Sequence, residues 1–258
     1  MTEDLSAVNL HFVRSMDDVF EFKRWLGERR PILGFDTETS GFSPERDIIR
    51  LAQFGDPMSG WAIPWDLWKG AVIEAIDSYE EDIVLHNSKF DIRFFTRHTG
   101  RKISDWPWHR THDTMTLAHL NDPLRPKGLK PLAARLVDPL ASRAQKLLDD
   151  AMKDNKWTWG TVPIDFPHYW IYAAMDPVLT TRIYGHLTPT PYTTAYDIEM
   201  GATRVVAGME ARGMRIDLDY SKVMMQQLSF SDWAQANAAP RATVVLHDAY
   251  HCAPQVFW

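Results

Sequence analysis

The chain has 258 residues, of which 45% are hydrophobic, and this length can bury one substantial core with room for a second small lobe. No stretch approaches the run of roughly 20 apolar residues that crosses a bilayer, and the N-terminus lacks a hydrophobic signal core, so a soluble cytoplasmic protein without a membrane partner is expected. The net charge of −6 argues against a general nucleic-acid coat but not against an enzyme, and the single cysteine, Cys252, excludes an internal disulfide.

The first half of the chain predicts alternating strands and helices. Its apolar runs and turn residues predict strands at 32–39, 47–56, 61–65 and 83–87, with a helix at 66–77. Ser88 is expected to cap a further helix that follows the last of these strands. Strands that alternate with helices indicate an α/β fold.

The second half of the chain is mostly helical from Asp113 onward. Pro167 suits the first turn of a helix over 168–187, and another helix is expected from 195 to about 212. The segment PTPYTT at 189–194 breaks the pattern and predicts a joint. We therefore expect one domain over 1–190 and a helical appendage over 191–258, with no element assigned beyond 218.

Two carboxylates stand at the end of the first predicted strand. Asp36 and Glu38 are two residues apart, and on a strand such residues project to the same face, where both can approach one cation. The same spacing recurs at Asp197 and Glu199 on a predicted helix, where the two side chains do not share a face. The spacing therefore carries meaning only together with its surroundings.

Two further acidic positions follow in the chain. Asp91 lies one turn into the helix that begins near Ser88, beside the end of the sheet. Tyr172 and Asp176 are four residues apart, so a helix places the phenol and the carboxylate on one face. Carboxylate oxygens suit Mg²⁺ or Mn²⁺, and the absence of a cluster of Cys or His argues against zinc.

These positions lie in three motifs, FDTETSGF, HNSKFD and YAAMDPVLT, which occur in this order. In this respect the sequence resembles the DEDD exonucleases with a tyrosine in the third motif, specifically the proofreading domain of family A, or polymerase I-like, DNA polymerases. The similarity covers about 30 to 217. The polymerase motifs of that family are missing from the sequence, so the chain is not expected to polymerise DNA.

The resemblance implies a ribonuclease H-like exonuclease fold, with a mixed central sheet flanked by helices. It also implies a metal-dependent 3′-5′ exonuclease that hydrolyses DNA from the 3′ end and releases nucleoside 5′-monophosphates. Two divalent cations, Mg²⁺ or Mn²⁺, would be held by Asp36, Glu38, Asp91 and Asp176. Tyr172 would orient the attacking water.

The resemblance also indicates residues that contact the substrate, which is a single-stranded or frayed 3′ end. Phe42 lies just beyond Asp36 and Glu38, where family members carry an apolar residue that wedges against the terminal bases. Thr39, Asn87 and Lys89 are further candidates. Asn87 has an alternative role in tying the loop backbone, and Lys89 an alternative role as a solvated helix residue.

Two alternative functions remain open from the sequence. An RNA-trimming exonuclease could use the same motifs, because they bind phosphate and metal and say little about the sugar. A non-catalytic lobe that binds DNA or a separate DNA polymerase chain is the other alternative. His112 and Asp113 are interpreted as structural, because Asp113 stands where a helix N-cap belongs.

Overall fold

The computed structural model describes residues 4–28 and 30–227. The chain divides into two compact units, Met1–Gly208 and Met209–Trp258. No helix in the two described stretches combines the length and the apolar character needed to cross a membrane.

The first unit is built on a mixed sheet of six strands. In chain order the strands are β1 (Asn9–Phe12), β2 (Ile32–Thr39), β3 (Ile49–Gly55), β4 (Ser59–Pro64), β5 (Asp82–Leu85) and β6 (Thr111–Asp113). Their order across the sheet is β1-β4-β3-β2-β5-β6. Strands β2, β3 and β4 are antiparallel neighbours, whereas β1, β5 and β6 pair with their neighbours in parallel.

The described helices flank this sheet or follow it in the chain. They are α1 (Met16–Gly27), α2 (Trp65–Ser78), α3 (Ser88–Thr99), α4 (Thr114–Asn121), α5 (Leu129–Leu136), α6 (Arg143–Asn155), α7 (Pro167–Leu187), α8 (Thr193–Arg212) and α9 (Leu218–Gln227). The expected mixed sheet flanked by helices is therefore confirmed.

Four of these strands and helices have no counterpart among those predicted from the sequence: β1, α1, β6 and α9. Strand β6 has three residues, and the four residues of β1 include the polar Asn9 and His11, so neither strand forms an apolar run like that of β5. Helix α1 did carry a signal, because Ser15 and Asp18 form a capping box and its buried residues recur every three positions at Val19, Phe22 and Trp25. The predicted cap at Ser88 is wrong, since the N-cap of α3 is Asn87, which has left-handed backbone angles.

The two faces of β2 pack against different parts of the protein. Leu33 and Phe35 belong to the main hydrophobic core, which also contains buried side chains of α1, α2 and α3. Side chains alternate along a strand, so Gly34 and the even-numbered residues after it face the opposite side. A Cβ at Gly34 would lie 2.5 Å from the carbonyl oxygen of Pro177, which shows that α7 covers that side.

A row of three glycines brings α7 close to the sheet. Gly34 pairs with Gly55, and Gly55 pairs with Gly60, so the row crosses β2, β3 and β4. A Cβ at Gly55 would lie 3.1 Å from the ring of Pro177, and one at Gly60 would overlap the carbonyl oxygen of Ala174. Helix α7 continues through Pro177 to Leu187. We call Gly34, Gly55 and Gly60 the glycine row.

Candidate active site

The candidate site lies between the end of β2 and the middle of α7. Asp36 and Glu38 lie two and four residues after Gly34, and side chains alternate along a strand. They therefore project from the same face of β2 as Gly34, the face that α7 covers. Asp176 lies on α7 directly before Pro177, the residue that packs against the glycine row. The glycine row therefore determines how closely the third motif approaches the first.

Three carboxyl groups converge there. Asp36, Glu38 and Asp176 each offer an oxygen atom within 4.8 Å of the other two. Glu38 and Asp176 are buried, and Asp36 is half-buried. In the part of the chain that the structure describes, this is the group of His, Cys, Asp or Glu side chains with the spacing to hold a metal ion. Oxygen-only ligands of this kind fit Mg²⁺ or Mn²⁺.

Asp91 reaches the same strand from α3 but is held separately. Its Oδ1 accepts hydrogen bonds from the backbone N–H of Thr37 at 2.9 Å and from the Thr37 hydroxyl at 2.7 Å. Strand β5 pairs with β2 only as far as Gly34, so the N–H of Thr37 is left for another acceptor. These bonds tie the second motif to the first, beside Asp36.

The carboxyl groups of the site resist ionisation in the absence of a cation. Burial raises the pKa of Asp36 to about 7, and burial together with the neighbouring Asp36 raises the pKa of Glu38 to about 8. The same two causes raise the pKa of Asp91 well above its usual range. A divalent cation would favour the ionised forms of all three, so the donor set fits a bound metal ion.

Lys130 is a buried residue of this site that was not predicted from the sequence. Its Nζ forms an ion pair with Oδ1 of Asp176 and lies 4.3 Å from the centroid of the Tyr172 ring. Burial lowers the pKa of Lys130 to about 7, against the opposing effects of Asp36 and Glu38. A signal was present, because Lys130 precedes the buried Ala133 by three residues and so shares its helix face.

Arg50 on β3 was also missed, and it positions the segment before α7. Its guanidinium donates to the carbonyl oxygens of Trp159 at 2.7 Å and Val162 at 2.6 Å. The ring of Trp159 in turn lies 5.9 Å from that of Tyr172. Trp159 therefore packs beside the candidate catalytic phenol. Tyr172 is itself largely enclosed, and burial raises the pKa of its hydroxyl well above the usual range.

Asp113 has the structural role that the sequence predicted. It is the N-cap of α4, and its carboxylate accepts from the N–H groups of Met115 and Thr116. The same carboxylate accepts from the N–H of Asn87 at 3.2 Å and of Ser88 at 2.7 Å. The start of α3 is therefore held by Asp113 rather than by a side-chain cap of its own.

The candidate substrate residues lie around the carboxylates in different settings. Phe42 is 74% exposed in the segment after β2. Thr39 is buried, and its hydroxyl donates to the carbonyl oxygen of Gly41 at 2.6 Å. Asn87 has a φ of 64°, and Lys89, in the first turn of α3, is half-buried. Phe42 is thus the member of this set with most of its side chain available to a ligand.

Comparison with known proteins gives relatives in sequence and in structure. The DNA polymerases of Mycobacterium phages L5 and D29 are 27% and 30% identical to this chain over 87% and 85% of its length. The chain spans only about 40% of the length of these curated relatives.

Two solved structures show the same fold at low sequence identity. Escherichia coli RNase D, an exoribonuclease involved in structured RNA processing, superposes with a TM-score of 0.54 at 16% identity, covering 78% of this chain and 51% of its own. Brucella melitensis NrnC with bound Mg²⁺ superposes with a TM-score of 0.52 at 15% identity, covering 82% of this chain and 92% of its own. The ribonuclease H-like exonuclease fold is thereby confirmed.

The family model described as 3′-5′ exonuclease matches residues 13–190, which include β2, α3 and α7 and therefore every carboxylate of the candidate site. The chain belongs to the 3′-5′ exonuclease family, in the branch found in family A DNA polymerases.

Proposed function

We propose that the chain removes nucleotides one at a time from the 3′ end of a DNA strand and releases nucleoside 5′-monophosphates. The observation that carries this proposal is the convergence of Asp36, Glu38 and Asp176 within 4.8 Å, in a chain of the exonuclease family. DNA is the proposed substrate because the sequence relatives are DNA polymerases. For the same reason, a DNA polymerase is the partner that we propose.

Two divalent cations are the proposed cofactors. Asp36, Glu38 and Asp176 would hold one, and Asp91, tied to the same strand beside Asp36, would hold the other together with Asp36. When bound, such cations lower the pKa of a water ligand and stabilise a departing oxygen. The four carboxylates fix where a phosphodiester can approach, and Tyr172 would orient the water. The nuclease chemistry is proposed to lie in 1–190.

Exposed Phe42 is proposed to stack on unpaired terminal bases, with Thr39, Asn87 and Lys89 nearby as contacts to the strand. Stacking on an aromatic ring holds single strands without reading their sequence. A paired terminus must first separate before its phosphate reaches buried carboxylates. The enzyme should therefore prefer ends that are already frayed.

The test of this function uses two duplexes labelled at the 5′ end, one fully paired and one with a mismatch at the 3′ terminus. Separating a terminal base costs about 1 to 3 kcal/mol, so the mismatched duplex should be degraded about tenfold faster. Product length is followed over time with Mg²⁺ present. Equal rates on the two duplexes, or shortening from the labelled end, would contradict the proposal.

RNA trimming is the second candidate, and the observation that favours it is the fold shared with an exoribonuclease, E. coli RNase D. DNA and RNA oligomers of the same sequence distinguish the two. A chain that degrades the RNA oligomer faster than the DNA oligomer is an RNA-trimming enzyme. A chain that degrades neither in Mg²⁺ or Mn²⁺ is better described as a non-catalytic lobe.

The hydroxyl of Tyr172 can be tested separately from the metal ligands. Tyr172→Phe keeps the ring that faces Lys130 and removes only the group proposed to position water. We expect the cleavage rate to fall about 10- to 100-fold, because a misplaced nucleophile reacts slowly, while Mn²⁺ affinity stays unchanged. Rates under single turnover and Mn²⁺ titration by calorimetry measure the two effects. A loss of Mn²⁺ affinity as large as that of Asp36→Asn would show that the phenol is a ligand.

A further inference from the structure

Lys130 places a cation inside the cluster of carboxylates. Only 7% of the residue is exposed, its Nζ is paired with Oδ1 of Asp176, and it lies over the ring of Tyr172. A buried ammonium group is costly to desolvate, so a lysine at such a place needs compensation from nearby negative charge. The acidic side chains placed to supply it are Asp176, which contacts Nζ directly, and Asp36 and Glu38 beside it.

The carboxylates need the lysine in return. Three carboxyl groups with oxygen atoms within 4.8 Å of one another repel when they ionise, and like charges at this distance exclude each other unless a cation is present. In the absence of a metal ion, the Lys130 ammonium is the cation that touches the cluster in the described structure. A metal ion bound to this oxygen of Asp176 would weaken its ion pair with the ammonium group, and the ammonium group would likewise weaken the binding of the metal ion.

We propose that Lys130 is the internal counter-ion of the metal-free site, and that its ammonium group competes with a divalent cation for Asp176. This inference rests on the metal binding in the proposed function. In the metal-free protein, Lys130 keeps Asp176 and Tyr172 in position, since it contacts both. In the metal-loaded protein, it repels the ion and weakens its binding. Lys130 is thus a positioning residue.

The test compares Lys130→Met with the wild-type chain and with Lys69→Met. Methionine keeps a long apolar side chain and removes the charge, and Lys69→Met makes the same change at an exposed position on α2. Mn²⁺ affinity is measured by calorimetry, and the melting temperature is measured with EDTA and with Mn²⁺.

We expect Lys130→Met to bind Mn²⁺ about tenfold more tightly than the wild type, to melt at a lower temperature in EDTA, and to gain more from Mn²⁺. Lys69→Met should match the wild type in all three. Unchanged or weaker Mn²⁺ affinity in a folded Lys130→Met protein would overturn the proposal.

Two further outcomes are informative. If Lys130→Met does not fold in EDTA, Lys130→Gln is tested as well, and folding of either variant only when Mn²⁺ is supplied supports the proposal, because the ion then replaces the missing charge. Failure of both variants to fold with Mn²⁺ overturns it. If the wild-type chain binds no Mn²⁺, the metal site of the proposed function is itself refuted. If the wild type binds Mn²⁺ and the Lys130 variants bind it with the same affinity, only the present inference is refuted.

Discussion

Asp36→Asn should reduce 3′-5′ cleavage by about 1,000-fold or more. Metal ions contribute several kcal/mol of charge stabilisation in such reactions, and each 1.4 kcal/mol is a factor of ten in rate. Asp36 is the carboxylate that both proposed metal ions share, and asparagine retains its shape without its charge. Asp176→Asn should have an effect of the same order. Single-turnover cleavage of a single strand labelled at the 5′ end, with Mg²⁺ in excess, measures the loss.

The matched control is Asp197→Asn, which changes an exposed Asp-x-Glu aspartate on α8. It should cleave at the wild-type rate. Thermal melts in EDTA establish that Asp36→Asn is folded before its rate is interpreted. Activity within tenfold of the wild type in either ligand variant would exclude the proposed metal site.

Gly60→Ala should damage both stability and activity. A Cβ at Gly60 would overlap the carbonyl oxygen of Ala174, so either α7 or β4 must move. Overpacking of this kind costs about 1 to 3 kcal/mol, which lowers the melting temperature by about 3 to 10 °C in a chain of this size. Ala174 lies between Tyr172 and Asp176, so the displacement should also lower kcat about 100-fold, as a shift of about 1 Å does elsewhere.

Gly185→Ala, the same substitution at a position on α7, provides the control. No atom lies within 4 Å of a Cβ built there, and alanine favours a helix interior over glycine by roughly 0.5 to 1 kcal/mol. This variant should melt slightly higher than the wild type and keep its activity. Thermal melts measure the effect on stability. The effect on activity is measured as kcat at a temperature where all variants are folded. A Gly60→Ala protein with a wild-type melt and rate would show that α7 does not depend on the glycine row.

The sequence was sufficient to predict the strands that contain a clear apolar run. Strands β2, β3, β4 and β5 lie where such runs were found, and α7 begins with Pro167 as its composition predicts. Strands β1 and β6 could not be predicted, because their short, partly polar segments form no apolar run and gain their stability from pairing with neighbours. The cap at Ser88 was wrong for a related reason: its N–H is satisfied by Asp113, which is distant in the chain.

The carboxylates of the candidate site could be predicted from the sequence, but its buried lysine, Lys130, could not. Asp36 and Glu38 share a strand face by simple alternation, Asp91 and Asp176 were found by their positions on predicted helices, and the resemblance assigned all four to one metal site. Lys130 and Arg50 act through contacts with segments that are distant in the chain, and a local pattern does not identify those partners. The spacing of Lys130 and Ala133 was the available sign, since a lysine on the buried face of a helix requires a partner.

Asp113 holds the start of two helices with one carboxylate. At the start of α3, it accepts hydrogen bonds from the N–H groups of Asn87 and Ser88. At the start of α4, it accepts hydrogen bonds from the N–H groups of Met115 and Thr116. Because the acceptor is shared, both helix ends are released when it moves. Asp113 also ends β6, opposite Leu85 of β5, so its displacement would loosen this edge of the sheet together with both helix ends. One carboxylate thus couples the ends of two helices and a sheet edge, so these three parts should open as one local unit in hydrogen exchange.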